Sequence, residues 1–258
     1  LHLSIRRQRQ MCIRDSATWS ASENGAYLSF YTTDGNASQA ERFRIDNSSR
    51  ISLSNNAFSG DSNNTLFGAG CGEDLESGAT FNCFMGHQAG KEEDEGDHNT
   101  AFGSTAYAAN GTHTASSYNT CIGSASGHNM GTGGAADRNT AVGYASLTAL
   151  TTGNDNVAVG AEAADGITTG FGNVAVGQAA LGAGNGGESR NVAVGYGALA
   201  TLNSDTDNYN TAVGYASGNM MTSGHSNTLI GGLSGDAITT GTGSVAIGKG
   251  SLTTNQEG

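Results

Sequence analysis

Asn139-Thr-Ala-Val-Gly143 is one copy of a pentapeptide that recurs throughout most of this chain. Eleven copies are present, and they begin at Asn64, Asn82, Asn99, Asn119, Asn139, Asn156, Asn173, Asn191, Asn210, Asn227 and Ser244. Successive copies begin 17 to 20 residues apart. So regular a spacing predicts a repeat architecture in which each repeat is one structural unit stacked on the next.

The pentapeptide alternates as a β-strand does, and we number its positions as columns from the Asn. The second column is Thr or Val in ten copies and Cys83 in the other, and the fourth is always bulky and apolar, from Phe67 to Ile247. These two columns share one face of the strand, and the third, Ala in seven copies, points to the other. Both faces are apolar, which predicts a strand buried on both sides. We expect the fourth column to fill the coil, and the third-column Ala, as in Ala175, to contact another chain.

Three further columns carry structural demands. The fifth column is Gly in every copy, from Gly68 to Gly248, which indicates a positive φ or no room for a Cβ atom. The eighth is always Ala, Ser or Cys, which indicates close backbone approach. A second apolar position and a turn follow, as in Leu150–Gly153. The first-column Asn side chains are predicted to form a ladder from coil to coil.

The fold class follows from the length of the unit. A unit of 17–20 residues is too short for a βαβ crossover, which needs about 30. The sequence therefore predicts an all-β, parallel β-helix or β-roll solenoid of about eleven coils over residues 61–258. Coils stacked at ~4.8 Å would span roughly 50 Å.

The regions outside the array differ from it. Residues 17–60 predict a small β-module or lead-in, with strands over residues 26–32, 42–45 and 50–53. Within residues 1–16, Arg9–Ser16 resembles a translated sequencing adaptor of the kind found at the ends of metagenomic gene fragments, so we set this segment aside. The less favoured alternative is a natural basic arm. The array ends without a capping repeat, and we expect a gene fragment truncated at both ends.

Composition narrows the classes of partner. The net charge is −12, and without residues 1–16 the chain keeps 7 basic and 22 acidic residues. Such a balance repels nucleic acid and anionic membranes. No apolar run approaches the ~18 residues of a membrane span, so we expect no membrane insertion in this segment.

Candidate sites for chemistry are few. The acidic stretch Lys91–Asp97 has ligands for a cation and carboxylates for glycan hydrolysis, but it occupies one outward loop, so a solvated loop is favoured. Histidines 87, 98, 113, 128 and 225 lack metal-ligand spacing, and Cys71, Cys83 and Cys121 read as small buried apolar residues. We predict no catalytic, cofactor-binding or metal site, no cofactor, and a protein that is not an enzyme.

Two residue patterns leave alternatives open. Tyr144, Tyr196 and Tyr215 share the sixth column, where exposed rings would stack on sugars, although packing at a corner or interface is favoured. The second-column Thr suggest ice binding by a flat array. That column is interrupted by Val157, Val174, Val192 and Val245.

The repeat also resembles known families. Asn139-Thr-Ala-Val-Gly-Tyr-Ala145 is similar to the repeats of trimeric autotransporter adhesin heads, and the long coils with Thr-Thr-Gly before the next Asn are similar to phage tail-fibre arrays. Glu41–Ser49 resembles a segment that often precedes such arrays. The early coils depart from the pattern at Cys83, Phe84 and Met85.

The resemblance implies a left-handed, homotrimeric β-roll. Its expected role is a structural or adhesive shaft, or a receptor-binding segment, of a phage tail fibre. The alternative is the head of a bacterial trimeric autotransporter-like adhesin, and a glycan-degrading β-helix enzyme or an ice-binding solenoid is less favoured. The expected partner is a host-surface glycan or protein receptor, and the expected location is the virion or the cell surface.

Overall fold

A computed structural model gives the architecture of the chain. It describes residues 11–14, 27–33, 39–45, 51–53, 63–75, 78–91, 95–109, 115–183 and 186–253. Two compact units divide the chain, residues 1–60 and residues 61–258. The described residues contain strands and turns but no helix.

The first unit contains a four-stranded antiparallel sheet in the order β1-β2-β3-β4. Its strands are β1 (Met11–Arg14), β2 (Tyr27–Thr33), β3 (Gln39–Ile45) and β4 (Ile51–Leu53). Strands β2, β3 and β4 follow the alternating segments identified in the sequence. Strand β1 lies in the segment that we set aside, and it pairs with β2 from Met11 opposite Phe30.

The second unit is a β-solenoid, which confirms the predicted fold class. Eleven short strands pair in parallel and in sequence order in one sheet. They are β5 (Thr65–Phe67), β6 (Cys83–Met85), β7 (Thr100–Phe102), β8 (Thr120–Ile122), β9 (Thr140–Val142), β10 (Val157–Val159), β11 (Val174–Val176), β12 (Val192–Val194), β13 (Thr211–Val213), β14 (Thr228–Ile230) and β15 (Val245–Ile247). Each column pairs with itself in the next coil, as Ala158 does with Ala175.

The two faces of this sheet are the reverse of our expectation. The third column points into the coil, and Ala175 is fully buried. The second and fourth columns point outward, and Val159 and Ile247 are 37% and 68% exposed. The assignment of the third-column Ala to a contact between chains was therefore wrong, as was the assignment of the fourth column to the coil core.

The narrow cross-section of the coil explains this arrangement. Large buried side chains reach the interior from the wall opposite the strand, as Leu147 and Leu150 do in the coil of Ala141. Because interiors are close-packed, the strand wall then has room only for a methyl group. The third column is thus small because core side chains fill the coil, and not because a partner chain packs against it.

Size compensation within single coils supports this packing. Where the third column is large, the ninth is Gly, as in the pairs Leu66 with Gly72 and Leu229 with Gly235. A Cβ atom on Gly235 would lie 2.7 Å from Leu229 Cδ2. In these coils the third and ninth columns therefore share the interior volume.

The fifth-column Gly satisfies both conditions that the sequence suggested. Gly160 has a φ of 138°, a region that L side chains rarely adopt. A Cβ atom there would lie 2.6 Å from the carbonyl carbon of Gly177, the equivalent residue in the next coil. The strand therefore turns at this column, where the next coil leaves no room for a Cβ atom.

The predicted Asn ladder is present and continuous. At each of ten steps, the backbone N–H of one first-column residue donates to Oδ1 of the Asn one coil earlier, with N···O distances of 2.8–3.2 Å. All ten Asn side chains are buried. Since an unpaired buried amide is costly, the ladder fixes the register of the whole stack.

Candidate functional surfaces

Among the described residues, exposed apolar side chains recur along the outward side of the solenoid sheet. We call the second- and fourth-column side chains of β5 to β15 the sheet face. It is bulky at one end, where Phe67 and Phe102 are 61% and 54% exposed, and continues through Val159 and Ile230 to Ile247. Exposed apolar area that is contiguous to this extent is typical of an interaction surface.

The sheet face is bordered by two outward columns. On one side lies the sixth column, which contains Tyr144, Tyr196 and Tyr215. On the other side lies the residue before each first-column Asn, which we call the corner column. Its backbone is left-handed in successive coils, with a φ of 60° at Phe81 and 58° at His98. The sheet face therefore has an aromatic and charged rim along the corner column, and a rim of mixed small, polar and aromatic residues along the sixth column.

The corner column is a ladder of stacked and paired side chains. His98 lies between Phe81 and Tyr118, with ring centroids 4.9 and 5.1 Å apart and interplanar angles of 11° and 6°. Arg138 Nε then donates to Asp155 Oδ1 at 2.6 Å. This hydrogen bond holds the pKa of Asp155 below its ordinary value.

The corner column is interrupted by Gly172 and continues with Arg190 in the next coil. The Arg190 guanidinium lies 4.6 Å from the ring centroid of Phe171 and 5.4 Å from that of Tyr209, and it also pairs with Asp207. The ring faces and charges of the corner column are thus largely used between neighbouring coils. The corner column therefore stabilises one edge of the sheet face.

The predicted sixth-column tyrosines are all exposed, at 59% for Tyr144, 53% for Tyr196 and 61% for Tyr215. Tyr196 and Tyr215 stack across adjacent coils, with centroids 5.4 Å apart and planes 10° from parallel. Tyr144 is separated from them by Ala161 and Gln178 in the same column. The structure therefore brings two of the three tyrosines together.

The acidic stretch is in part structural rather than solvated. Asp97 Oδ1 accepts hydrogen bonds from both the backbone N–H and the hydroxyl of Thr80, at 2.7 Å each. Residues 92–94 lie outside the described residues. The functional interpretations of this stretch, cation binding and glycan hydrolysis, remain without a described cluster of carboxylates.

Asp97 belongs to a second ladder that our sequence analysis missed. At five steps of the stack, a side-chain oxygen two residues before the Asn accepts the backbone N–H of the equivalent residue in the coil before, as Asp137 does from Ser117 and Asn154 from Asp137. The sequence does indicate this ladder, since Thr, Asp, Ser and Asn dominate the column two residues before the Asn. It was overlooked because the column lies in the segment of variable length.

The histidines and cysteines are dispersed along the stack. His87 and His225 are exposed, His128 Nδ1 is hydrogen-bonded to Ala108 O, and His113 lies outside the described residues. In the described part of the chain, no group of three or more His, Cys, Asp or Glu is placed to hold a metal ion.

The cysteine interpretation was correct for one of the three residues. Cys121 is buried, and Cys71 is half-buried, with burial raising the pKa of its thiol. Cys83 is exposed, because the second column points outward. All three are free thiols in the structure.

A buried carboxylate also escaped the sequence analysis. Glu188 is fully buried, Ser204 N–H donates to its Oε1 at 2.8 Å, and its Oε2 has no partner among the described residues. It occupies the position that is Gly153 or Gly170 in regular coils, where the backbone carbonyl accepts the Asn amide. The local sequence does not distinguish this buried glutamate from an exposed turn residue.

The chain matches no protein-family model, and comparison with curated proteins and with solved structures found no significant similarity. Among the described residues, no helix is both long and apolar enough to cross a membrane.

Proposed function

We propose that the solenoid is a non-enzymatic segment of a trimeric attachment appendage, the shaft or receptor-binding part of a phage tail fibre. The outward sheet face is the observation that carries this proposal. A rod of stacked coils with one apolar side is suited to assembly around an axis parallel to its own. The rim columns and the loops then remain available for contact with a host surface.

The size of the sheet face supports assembly. Eleven strands at ~4.8 Å and three residues of strand at ~3.4 Å give roughly 50 by 10 Å, on the order of 500 Å². That lies in the upper part of the ~300–600 Å² range of the largest apolar patch on a typical monomer. It covers more than half of the roughly 800 Å² that each partner buries in a stable interface.

The pattern of the face supports contact between copies of the same chain. The fourth column gives the face an apolar centre, the second column adds mainly Thr and Val, and the more polar rim columns flank it, as polar residues flank the core of a protein interface. Three copies related by a threefold axis would place equal columns at equal heights. The bulky Phe67 and Phe102 would then meet their equivalents, as would the smaller Val176 and Val194.

The molar mass of residues 17–258 in solution, measured by light scattering with circular dichroism, tests the proposal. We expect a β-rich trimer. Val159→Glu, which places a charge on the sheet face, should dissociate it while the β signal is kept. Thr169→Glu is the matched control, because Thr169 is exposed on a turn away from the sheet face, and it should leave the trimer intact.

Cys83 supplies an independent test of the same contact. In a parallel assembly the exposed Cys83 thiols of different copies approach one another, so mild oxidation of a Cys12→Ser, Cys71→Ser variant should give disulfide-linked chains. Cys121 is buried and should not react. A stable β-rich monomer, unchanged by Val159→Glu and not cross-linked, would overturn the trimer. That result would favour the ice-binding and glycan-hydrolase alternatives instead.

A further inference from the structure

The sixth column contains an open slot beside Tyr215. Tyr196 covers one face of the Tyr215 ring in a nearly parallel stack. The opposite face is directed toward the next coil, where the sixth-column residue is Gly232. A Cβ atom on Gly232 would have only one neighbour within 4 Å, the Tyr215 carbonyl oxygen at 3.9 Å. The far face of the Tyr215 ring is therefore uncovered.

The floor and far wall of the slot are set by the coil stacking. The Leu233 N–H donates to Tyr215 O at 2.8 Å, and the Gly250 N–H donates to Gly232 O at 3.0 Å, so the three coils are aligned at this column. Lys249, exposed, is the sixth-column residue of the third coil. The slot thus runs from the Tyr215 ring, over Gly232, to the coil that carries Lys249.

The dimensions of the slot fit a sugar ring. Two coil steps separate Tyr215 from Lys249, about 9.6 Å at ~4.8 Å each. A flat ring held in contact on both sides needs about 7–8 Å, at 3.5–4.0 Å per contact. The remaining ~2 Å accommodates the pucker of a pyranose chair. A planar aromatic ring would fit loosely by the same measure.

We propose that Tyr215, Gly232 and Lys249 form a binding slot for a neutral hexopyranose of a host-surface glycan. The apolar C–H face of the sugar stacks on Tyr215, and Lys249 donates hydrogen bonds to its hydroxyl groups. A chain with a net charge of −12 disfavours polyanionic glycans. This inference rests on the proposed attachment function and names its ligand class.

The sixth column repeats the same order of residue types earlier in the stack. Tyr144, exposed, is followed in the next two coils by Ala161 and Gln178. An aromatic ring, a small residue and a hydrogen-bonding side chain thus recur in the same order. A second, narrower slot at Tyr144 would give a glycan chain two points of attachment, which raises avidity.

Saturation-transfer NMR on residues 17–258, with the methyl glycosides of glucose, galactose and mannose as probes, tests the slot. We expect a signal from at least one of them, with a Kd on the order of 1 mM. Tyr215→Ala should weaken binding at least about tenfold, which corresponds to about 1.4 kcal/mol. Tyr209→Ala is the control, because Tyr209 is similarly exposed but lies on the other rim.

A filling variant separates binding from folding. Gly232→Tyr extends the tyrosine stack into the slot, and its backbone is not in the left-handed region. It should abolish the NMR signal while circular dichroism and molar mass stay unchanged. Transfer from none of the three glycosides, or equal transfer in Gly232→Tyr, overturns the slot. A trimer without glycoside binding would refute this inference alone, whereas a monomer would refute the proposed function.

Discussion

Asn156 and Asn173 are joined by two hydrogen bonds to one oxygen. The backbone N–H and the side-chain Nδ2 of Asn173 both donate to Oδ1 of Asn156, each at 3.0 Å. Asn156 Nδ2 in turn donates to Gly170 O at 2.9 Å and to Asn139 Oδ1 at 3.1 Å. One amide therefore closes its own coil and connects it to the coils on both sides.

Removing this amide should be costly. Asn156→Ala leaves the buried Asn173 N–H and Gly170 carbonyl without partners, at about 1–3 kcal/mol for each buried unsatisfied group. We expect a loss of roughly 3 kcal/mol in the free energy of unfolding, measured by denaturant titration. Asn203→Ala, an exposed position, should change it by less than about 0.5 kcal/mol. Equal midpoints for the two variants would contradict a stabilising ladder.

The fifth-column Gly should not tolerate a methyl group. Gly160→Ala combines a φ of 138° with a Cβ atom 2.6 Å from Gly177 carbonyl atoms, so we expect at least about 3 kcal/mol of destabilisation. Gly232→Ala, where space is open, should be within about 0.5 kcal/mol of the natural sequence. Thermal unfolding followed by circular dichroism measures both. A well-folded Gly160→Ala protein would show that the coils can separate at this column.

The third and ninth columns should be exchangeable as a pair. Leu229→Ala alone leaves a cavity and should cost about 2–5 kcal/mol, and Gly235→Leu alone overfills the coil. The double variant reproduces the pairing of Ala141 with Leu147, and Leu147 already has a left-handed φ of 48°.

We expect the double variant to recover at least half of the summed losses, as a double-mutant cycle in denaturant would show. Purely additive losses would mean that the two side chains do not share one volume. The matched control is a cycle between Leu229→Ala and Asn203→Ala, which should be additive because the two sites share no contact.

Asp165 should destabilise the solenoid at neutral pH. Burial raises the pKa of this half-buried carboxyl, and the nearby Glu162 adds to the effect. The folded state therefore binds the proton more tightly than the unfolded chain. The contribution of Asp165 to stability should therefore rise as pH falls through the raised pKa, and it should level off below the pKa of the unfolded chain, near 3.9.

Asp165→Asn should accordingly stabilise the protein at pH 7 by less than about 1 kcal/mol, because solvent screens the exposed part of the group. The gain should vanish in acid. Asp155→Asn is the control of opposite sign: the pKa of Asp155 is lowered by Arg138, so its contribution is present at neutral pH and lost in acid. Unfolding titrations at pH 7 and pH 2, the second below the unfolded pKa, separate the two signs.

Much of the fold could be predicted from the spacing of one pentapeptide. The repeat of Asn139–Gly143 predicted the parallel strands, the in-register stacking and the buried Asn ladder, because identical coils satisfy their backbone groups only on one another. The fifth-column Gly, such as Gly160, was predicted to need a positive φ or a close contact, and it has both.

The candidate surfaces were less predictable. For Tyr196 and Tyr215 the sequence favoured packing at a corner or interface over exposure for stacking on sugars. The open slot beside Tyr215 depends on the absence of a side chain at Gly232 in the next coil. The corner column was not recognised, because its members, such as Phe81 and Arg190, share a backbone conformation rather than a chemical type.

The sequence by itself determined that this protein is a solenoid with two apolar strand faces. Only the tertiary structure decided which face is inside, and it placed Ala175 in the core and Val176 outside. The alternating pattern separates the two faces of the strand, but it does not show which face points into the coil. That direction depends on the volume that Leu181 and its equivalents occupy from the opposite wall of the coil, which is a property of the closed coil and not of the strand.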